Sequence, residues 1–286
     1  MTETMLKPIR AGLIGAGIKA SLTPAMHMRE GAAQGLEYAY ELIDLNETGM
    51  TSADLPALLA DAEARGLCGL NITHPCKQDI LPCLDALSAE ARALGAVNTV
   101  VLRNGRRIGH NTDWWGFAES FRRGLADADL GSAVQLGAGG AGAATAYSIL
   151  SLGLRSLTVF DRERARADAL AASLSPLFPQ ARISTGSDLA AAMGDADGLI
   201  HATPTGMAKY PGLPLPVGLL QPRHWVAEIV YFPLQTDLLK LARERGCRTL
   251  DGGGMAVFQA VGAFELFTGR KPDADRMLAH FQALTA

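Results

Sequence analysis

The chain has 286 residues, of which 48% are hydrophobic and 19% charged, and its formal net charge is −3. This length and composition exclude a disordered chain and allow one large domain or two ordinary ones. The sequence pI is near 6.1, so nothing attracts a polyanion to the chain as a whole, and we expect no nucleic-acid partner.

The cysteines and the N-terminal segment both favour a cytoplasmic protein. No two of the 4 cysteines have the two-residue gap of a zinc ribbon or a redox motif, so we expect free thiols and no metal site. Residues 1–10 lack the apolar core of a signal peptide, and no apolar stretch reaches the ~20 residues that span a bilayer. We therefore expect no membrane contact.

The first third of the chain alternates strand and helix patterns. Strands are predicted at 11–15, 38–45, 67–72 and 99–102, and helices at 22–34, 55–64, 77–84 and 86–94. This β-α-β-α-β order is typical of a mostly parallel sheet.

After a predicted helix at 115–125 the pattern starts again. Strands are predicted at 133–136, 157–160, 198–202, 225–230 and 248–250, and helices at 143–152, 164–174, 255–267 and 273–284. We expect the last two helices to return to the first domain. The sequence thus predicts an α/β fold with two domains, one made of residues 1–113 with 255–286 and the other of residues 114–254.

A glycine-rich loop follows the predicted strand at 133–136. Gly137, Gly139 and Gly142 fit Gly-x-Gly-x-x-Gly, and a helix follows directly. The first glycine permits a tight turn, the second lets the backbone approach a pyrophosphate, and the third lets helix and strand pack closely. The helix N-terminus adds free N–H groups for the phosphates. The segment Gly137-Ala138-Gly139-Gly140-Ala141-Gly142 is therefore predicted to bind a dinucleotide in a Rossmann-type domain.

Asp161 ends the next predicted strand, 19 residues after Gly142, where a spacing of about 20 is expected. A carboxylate there can accept hydrogen bonds from a ribose 2′-hydroxyl and repels a 2′-phosphate, which favours NAD over NADP. Arg162 complicates this interpretation, because an arginine can stack on adenine or pair with a 2′-phosphate. In the alternative interpretation Asp161 is only a turn residue.

A second pair of glycines, Gly15 and Gly17, also follows a predicted strand. The chain then enters a polar loop that leads to Pro24, and no helix begins directly after the glycines. We expect no nucleotide to bind there.

Four motifs of the first domain are polar where a core would require apolar residues, and several follow a strand end, where ligands bind in open parallel sheets. They are Ser21-Leu22-Thr23-Pro24, Asn71-Ile72-Thr73-His74-Pro75-Cys76-Lys77, Ala96-Val97-Asn98-Thr99 and Asn111-Thr112-Asp113. Lys77 and Asp113 are the candidates for removing a hydroxyl proton during hydride transfer. The remaining hydroxyls and amides suit a small polyol acid.

Each of these residues also has a structural interpretation, which is the stronger one for any residue taken alone. Lys77 fits a solvent lysine at a helix start, Asp113 an N-cap, and Thr23 a cap before a proline in the first turn. Only the combined pattern separates the two interpretations.

The combined pattern resembles the shikimate and quinate dehydrogenase family over nearly the whole chain. Ser21 to Pro24 is similar to the family's Ser-Leu-Ser-Pro, Asn71 to Lys77 to Asn-Val-Thr-x-Pro-x-Lys, Gly95 to Thr99 to Gly-Ala-x-Asn-Thr, and Asn111 to Gly116 to Asn-Thr-Asp-x-x-Gly. Further along, Ala202 to Met207 resembles Ala-Thr-Pro-x-Gly-Met. Tyr231, Gly254-Met255 and Gln259 match further family positions.

This resemblance implies the reversible oxidation of a ring hydroxyl, with Lys77 as acid/base and Asp113 as its partner. It also implies two α/β domains with a cleft between them. The implied substrate residues are Ser21, Thr23, Asn71, Thr73, Lys77, Asn98, Asp113, Tyr231 and Gln259. The implied cofactor residues are those of the glycine loop with Asp161, Arg162, Thr203, Pro204, Met207, Val230, Gly254 and Met255.

Two departures from the biosynthetic branch point to NAD and to quinate or shikimate as substrates. Thr23 stands where that branch usually has serine, and Asp161-Arg162-Glu163 stands where it has an Asn-Arg-Thr cluster for the NADP phosphate. The alternatives are an NADP-dependent biosynthetic shikimate dehydrogenase, an aminoshikimate-type dehydrogenase, and a non-catalytic ligand sensor, against which Lys77 and Asp113 weigh. The sequence leaves a homodimer open.

Overall fold

The computed structural model describes residues 8–285. Residues 1–7, which belong to the segment expected to lack a signal peptide, and residue 286 lie outside the described part. The chain divides into two compact units, unit 1 (Met1–Thr112 with Gln259–Ala286) and unit 2 (Asp113–Phe258). The domain boundaries predicted at 113/114 and 254/255 lie within four residues of this division.

Unit 1 is built on a six-stranded sheet whose strand order is β2-β1-β3-β5-β6-β4. The strands are β1 (Ile9–Gly15), β2 (Tyr38–Asp44), β3 (Gly69–Ile72), β4 (Ala86–Leu87), β5 (Thr99–Arg103) and β6 (Arg106–His110). The helices between them are α1 (Thr23–Ala33), α2 (Leu45–Thr48), α3 (Leu55–Ala64), α4 (Cys76–Asp79) and α5 (Ala89–Leu94), with 3₁₀ turns at Ser52–Asp54 and Leu81–Cys83.

The sheet of unit 1 is mostly parallel, as predicted, but one of the predicted strands runs the other way. β1 pairs in parallel with β2 and β3, whereas β5 pairs antiparallel with β3 and β6. A tight turn at Asn104–Gly105, where both φ values are positive, 54° and 68°, joins β5 to β6 and makes this pair antiparallel. Such an Asn-Gly pair forms a two-residue hairpin, which the sequence analysis overlooked together with β6.

The helix predicted at 86–94 is wrong in its first residues. Ala86 and Leu87 form β4, which pairs with β6. α5 begins only after Ser88, whose side chain accepts a hydrogen bond from the Ala91 amide at 3.1 Å and so caps the helix.

Unit 2 contains a second six-stranded sheet, in which every pair of neighbouring strands is parallel. The strands are β7 (Ser132–Leu136), β8 (Ser156–Phe160), β9 (Arg182–Thr185), β10 (Gly198–His201), β11 (Trp225–Glu228) and β12 (Arg248–Leu250). The helices are α6 (Asp113–Gly124), α7 (Gly140–Ser151), α8 (Arg164–Leu174), α9 (Leu189–Asp195) and α10 (Asp237–Glu244), with a 3₁₀ turn at Val217–Leu219. Three of these elements, β9, α9 and α10, were not predicted from the sequence.

The strand order of unit 2, β12-β11-β10-β7-β8-β9, is that of a Rossmann fold. The chain starts in the middle of the sheet at β7, proceeds outward to β9, and returns to β10 on the other side of β7. The point between β7 and β10 is therefore the topological switch point, outside which ligands bind in open α/β sheets. The predicted α/β fold with a Rossmann-type domain is confirmed.

Two final helices, α11 (Gly253–Thr268) and α12 (Ala274–Thr285), end the described chain, and the division between the units falls within α11. In unit 1, α12 contacts α1, where Arg276 forms an ion pair with the buried Glu30 at 2.7 Å. Between residues 8 and 285 no helix combines the length and apolarity needed to cross a bilayer. The same residues contain no cluster of three or more His, Cys, Asp or Glu that could hold a metal.

Candidate active site

The glycine loop of unit 2 is tightly packed at its first and last glycines. Gly137 has φ of 103°, and a Cβ placed there would lie 2.5 Å from the Ala202 carbonyl oxygen. A Cβ at Gly142 would lie 2.3 Å from the carbonyl oxygen of Gly137. The protein's own packing therefore requires both glycines, as the motif predicts.

The middle of the loop is open. A Cβ at Gly139 or Gly140 would have no neighbour within 4 Å, and both residues are exposed. α7 begins at Gly140, three residues before the predicted start, and no side chain caps it at Gly139. The amides of its first turn have no partner within the helix and face this free space. The loop therefore fits a pyrophosphate, which needs close backbone approach and N–H donors.

Asp161 lies at the end of β8, beside the loop. Its Oδ2 accepts a hydrogen bond from the Ala138 amide at 2.8 Å, and its Oδ1 accepts one from the Glu163 amide at 2.9 Å. The carboxylate is thus held against the glycine loop, and the turn interpretation of Asp161 also applies, because the Glu163 bond closes a local turn.

Two of the three arginines after Asp161 are engaged in ion pairs. Arg164 pairs with Asp168 at 3.0 Å, and Arg166 pairs with Glu163 at 2.9 Å. Arg162 is exposed to solvent. The surroundings of Asp161 therefore combine a fixed carboxylate with three exposed arginines, of which Arg162 takes part in neither of these ion pairs.

The other predicted cofactor residues of unit 2 fall into two groups. Thr203 follows β10 and lies beside the loop, since a Cβ at Gly137 would be 3.1 Å from its Cγ2. Pro204 and Met207 are exposed, whereas Val230 is buried and Met255 half-buried; Tyr231, a predicted substrate residue of this unit, is also exposed. Gly254 has a packing explanation of its own, because a Cβ there would lie 2.1 Å from Ser120 Oγ.

The Ser21–Thr23 segment of unit 1 forms a small polar turn before α1. Ser21 Oγ donates to Thr23 Oγ1 at 3.2 Å, and the Thr23 amide donates to Ser21 Oγ at 3.3 Å. The structural interpretation of Thr23 as an N-cap is wrong: the N-cap is Leu22, and Thr23 is the first residue of the helix. Its hydroxyl is therefore not used as a helix cap.

Lys77 and Asp113 both lie at the start of helices. Lys77 is the second residue of α4 and is half-buried, and its carbonyl oxygen accepts a hydrogen bond from the Val97 amide at 2.9 Å. Asp113 is buried, with 4% of its surface exposed, at the first position of α6. Lys77 is therefore not the fully solvated lysine of its structural interpretation, while Asp113, for which that interpretation was an N-cap, lies at the start of the helix.

Asn71 and Asn98 belong to one buried network of hydrogen bonds in unit 1. Asn71 Oδ1 accepts from Tyr40 Oη at 2.8 Å, and its Nδ2 donates to Thr99 Oγ1 at 3.0 Å. Thr99 Oγ1 in turn donates to Asn98 Oδ1 at 3.1 Å. The network fixes the orientation of both amide groups, which an isolated asparagine would leave undetermined.

The network continues from Asn98 to α11. Asn98 Nδ2 donates to Thr112 Oγ1 at 3.0 Å and to Gln259 Oε1 at 3.4 Å, while the Thr112 amide donates to Asn98 Oδ1 at 2.7 Å. Thr73, which follows β3, is half-buried, and its methyl group would lie 2.3 Å from a Cβ at Gly15. Three predicted substrate residues of unit 1, Asn71, Asn98 and Gln259, are thus brought together by the fold.

Three buried polar residues were missed in the sequence. Tyr40 lies in β2, and His201 and Glu228 are the last residues of β10 and β11. His201 Nδ1 lies 2.9 Å from both carboxylate oxygens of Glu228, and neither side chain has any exposed surface. The available signal was a polar side chain at the end of an otherwise apolar strand.

Comparisons with known proteins agree with this architecture. Residues 13–100 match the shikimate dehydrogenase substrate binding domain, and residues 252–280 match the shikimate 5′-dehydrogenase C-terminal domain. A shikimate dehydrogenase (NADP(+)) of Streptomyces avermitilis is 57% identical over 96% of this chain and 94% of its own length. A quinate/shikimate dehydrogenase (NAD(+)) of Corynebacterium efficiens is 48% identical over 96% and 98%.

A solved structure, that of quinate dehydrogenase from Corynebacterium glutamicum in complex with NAD, has a TM-score of 0.91. It is 45% identical and covers 96% of this chain and 99% of that one. The resemblance found in the sequence is thus confirmed. The chain belongs to the shikimate dehydrogenase family, whose members use a nucleotide cofactor and include the shikimate and quinate dehydrogenases.

Proposed function

We propose that this protein oxidises quinate to 3-dehydroquinate and shikimate to 3-dehydroshikimate with NAD as the cofactor. The observation that carries the choice of NAD is the Asp161 carboxylate, held by the Ala138 amide beside the open glycine loop. NAD accepts a hydride from the ring carbon that bears the hydroxyl group. The open loop at Gly139 and Gly140 would hold its pyrophosphate, and Asp161 would hold the adenosine ribose.

In this proposal Lys77 and Asp113 handle the proton of the substrate hydroxyl. A lysine amine can take up or release that proton, and a carboxylate partner keeps the amine oriented. Ser21 and Thr23 would bind the substrate carboxylate through their hydroxyl groups. Asn71, Thr73, Asn98, Tyr231 and Gln259 would bind or border the remaining ring substituents.

The relatives are named for different cofactors, so the charged residues around Asp161 are the better guide to the choice between NAD and NADP. The Streptomyces relative is named for NADP(+) and the two Corynebacterium proteins for NAD(+) or NAD. A 2′-phosphate beside Asp161 and Glu163 would meet two carboxylates, while Arg164 is already paired with Asp168. Arg162, which is exposed, is the specific observation in favour of the second candidate, an NADP-dependent shikimate dehydrogenase.

The decisive experiment is a matrix of kcat/KM values for quinate and shikimate with NAD and NADP. We expect NAD to exceed NADP by at least about tenfold with either substrate, which corresponds to about 1.4 kcal/mol of discrimination. A higher value with NADP would contradict the proposed role of Asp161. No turnover in any of the four combinations would contradict the enzymatic function and favour a ligand sensor.

The role of Lys77 is tested by Lys77→Ala. General acid–base catalysis contributes about 10²- to 10⁴-fold, so kcat should fall by that order while the Kd of NAD stays within about twofold. The matched control is Lys271→Ala, because Lys271 is an exposed lysine of the same unit; its kcat should be that of the wild type. An unchanged kcat in Lys77→Ala would remove Lys77 from the mechanism.

A further inference from the structure

His201 and Glu228 form a buried pair in unit 2 whose chemistry the sheet itself does not require. They are direct partners in the register of β10 and β11. In addition to its contact with His201, Glu228 accepts hydrogen bonds from the Val230 amide at 3.0 Å and from the Thr236 hydroxyl at 3.3 Å. Apolar residues of similar volume usually stabilise such a position as well or better than a buried ionisable pair. The pair therefore calls for an explanation outside folding stability.

The pair reaches the surface through Thr203. His201 Nε2 lies 2.5 Å from Thr203 Oγ1, and the Thr205 amide donates to the same oxygen at 3.3 Å. Because carboxylate oxygens only accept, Glu228 keeps a proton on His201 Nδ1. In the neutral ring, Nε2 then accepts a hydrogen bond from the Thr203 hydroxyl group. The Thr205 amide uses one lone pair of the threonine oxygen, and the second lone pair is left for an external donor.

Thr203 lies where the Rossmann unit receives one half of its ligand. It follows β10 and packs beside Gly137, across the switch point between β7 and β10. A dinucleotide spans that point, with one nucleotide over each half of the sheet. Asp161 belongs to the half formed by β7 to β9, where the adenosine is expected, so Thr203 belongs to the half that faces the nicotinamide riboside.

We propose that His201 and Glu228 are positioning residues, which hold the Thr203 hydroxyl as a hydrogen-bond acceptor for the nicotinamide riboside half of the cofactor. The donor on that half is an N–H of the carboxamide or a ribose hydroxyl. The inference rests on the dinucleotide cofactor of the proposed function. It assigns no role in proton transfer to the pair, because neither side chain is exposed.

The test compares the binding of NADH and of ADP, which lacks the whole nicotinamide riboside and carries the same adenosine and pyrophosphate groups. Thr203→Val removes the hydroxyl at nearly constant volume, and His201→Asn keeps a partner for Glu228 but does not reach Thr203. Each variant should bind NADH about tenfold more weakly, as expected for one lost hydrogen bond, and ADP within about twofold of the wild type. Calorimetric titration measures both.

Matched variants separate positioning from a general loss of structure. Thr203→Ser keeps the hydroxyl and should bind NADH like the wild type. Thr158→Val, in β8 on the adenosine half, should change neither affinity. An NAD analogue with an acetyl group in place of the carboxamide identifies the donor: if it is the carboxamide, Thr203→Val should not weaken the binding of this analogue.

Two outcomes would overturn the inference. Equal weakening of NADH and ADP in His201→Asn would make the pair structural, and unchanged NADH binding in Thr203→Val would exclude the contact. If His201→Asn fails to fold, the Thr203 variants still test whether the Thr203 hydroxyl accepts a hydrogen bond from the cofactor. A wild-type protein that binds NADH and shows no activity with quinate or shikimate would contradict the proposed function and leave this binding test intact.

Discussion

The two units begin with the same local design and use it differently. In each, a strand runs into a glycine-containing loop, a helix follows, and the next strand ends in an aspartate that binds the loop backbone. In unit 1 that residue is Asp44, which accepts hydrogen bonds from the amides of Gly17 at 2.8 Å, Ile18 at 2.8 Å and Asn46 at 3.0 Å. In unit 2 it is Asp161, which accepts a hydrogen bond from only one amide of the loop, that of Ala138.

The loop of unit 1 is filled by the protein itself. Ile18 is buried, a Cβ at Gly15 would lie 2.3 Å from Thr73 Cγ2, and Pro24 removes one N–H from the first turn of α1. The loop of unit 2 keeps free space at Gly139 and free amides in the first turn of α7. A glycine loop after a strand can therefore bind phosphate only where donors and space remain after folding.

The largest effect is expected from substitutions in the packed part of the unit 2 loop. Gly142→Ala places a Cβ 2.3 Å from a backbone oxygen, and Gly137→Ala adds a Cβ 2.5 Å from another at a φ of 103°. Each should lower the free energy of unfolding by about 3 kcal/mol or more, from overpacking and backbone strain. Urea unfolding measures this. Stability equal to the wild type would show that the loop backbone is free to shift.

The open part of the same loop should respond in the opposite way. Gly139→Ala meets no protein atom within 4 Å, so the free energy of unfolding should change by less than about 1 kcal/mol. The methyl group would instead occupy the path of the pyrophosphate, and the Kd of NAD should rise at least about tenfold. Unimpaired NAD binding, measured by calorimetry, would mean that the phosphates do not approach Gly139.

A smaller effect is expected on cofactor choice. Asp161→Asn keeps an acceptor for the Ala138 amide and removes the negative charge. We expect kcat/KM with NADP to rise by about tenfold and that with NAD to fall by a few-fold, since about 1 kcal/mol of repulsion is relieved. Asp195→Asn is the matched control, because Asp195 is an exposed aspartate of the same unit at the end of α9, where its carbonyl oxygen accepts a hydrogen bond from Ser132 at the start of β7; it should leave the ratio of NADP to NAD unchanged.

The smallest effect concerns acid stability through unit 1. Burial raises the pKa of Asp44, but the amides of Gly17, Asn46 and Ile18 outweigh it and hold the pKa below its ordinary value of 3.8. A lowered pKa in the folded state stabilises the protein above about pH 3.8, and this contribution is lost as the pH falls through the folded-state pKa. Asp44→Asn should therefore flatten the fall of Tm between pH 5 and 3. An unchanged slope would assign the acid sensitivity to other carboxyl groups.

Much of unit 2 was predictable because its signals are local. The strand before Gly137, the spacing to Asp161 and the helix at Arg164–Leu174 each depend on a short segment of chain, and each was found. The direction of β5 was missed although its signal, the Asn104–Gly105 pair, was equally local. β9, α9 and α10 were overlooked, and the extent of the strand at 225–230 was overestimated by two residues.

The candidate site was also predictable only in part. Motifs such as Asn71 to Lys77 and Asn111 to Gly116 identified the family, because residue identities at fixed spacing are visible in the sequence. The partners of those residues were not visible. Tyr40 reaches Asn71 across the sheet, and Gln259 reaches Asn98 from a helix 161 positions away.

The sequence by itself determined the α/β alternation, the glycine loop and the family, because periodicity and spacing are properties of neighbouring residues. Only the tertiary structure decided which of two glycine loops keeps its amides free, since Asp44 lies 27 positions from Gly17. It also decided that His201 meets Glu228, because the register of two parallel strands sets that contact. Whether a backbone amide is already hydrogen-bonded depends on residues that are distant in the sequence, and no local sequence pattern indicates this.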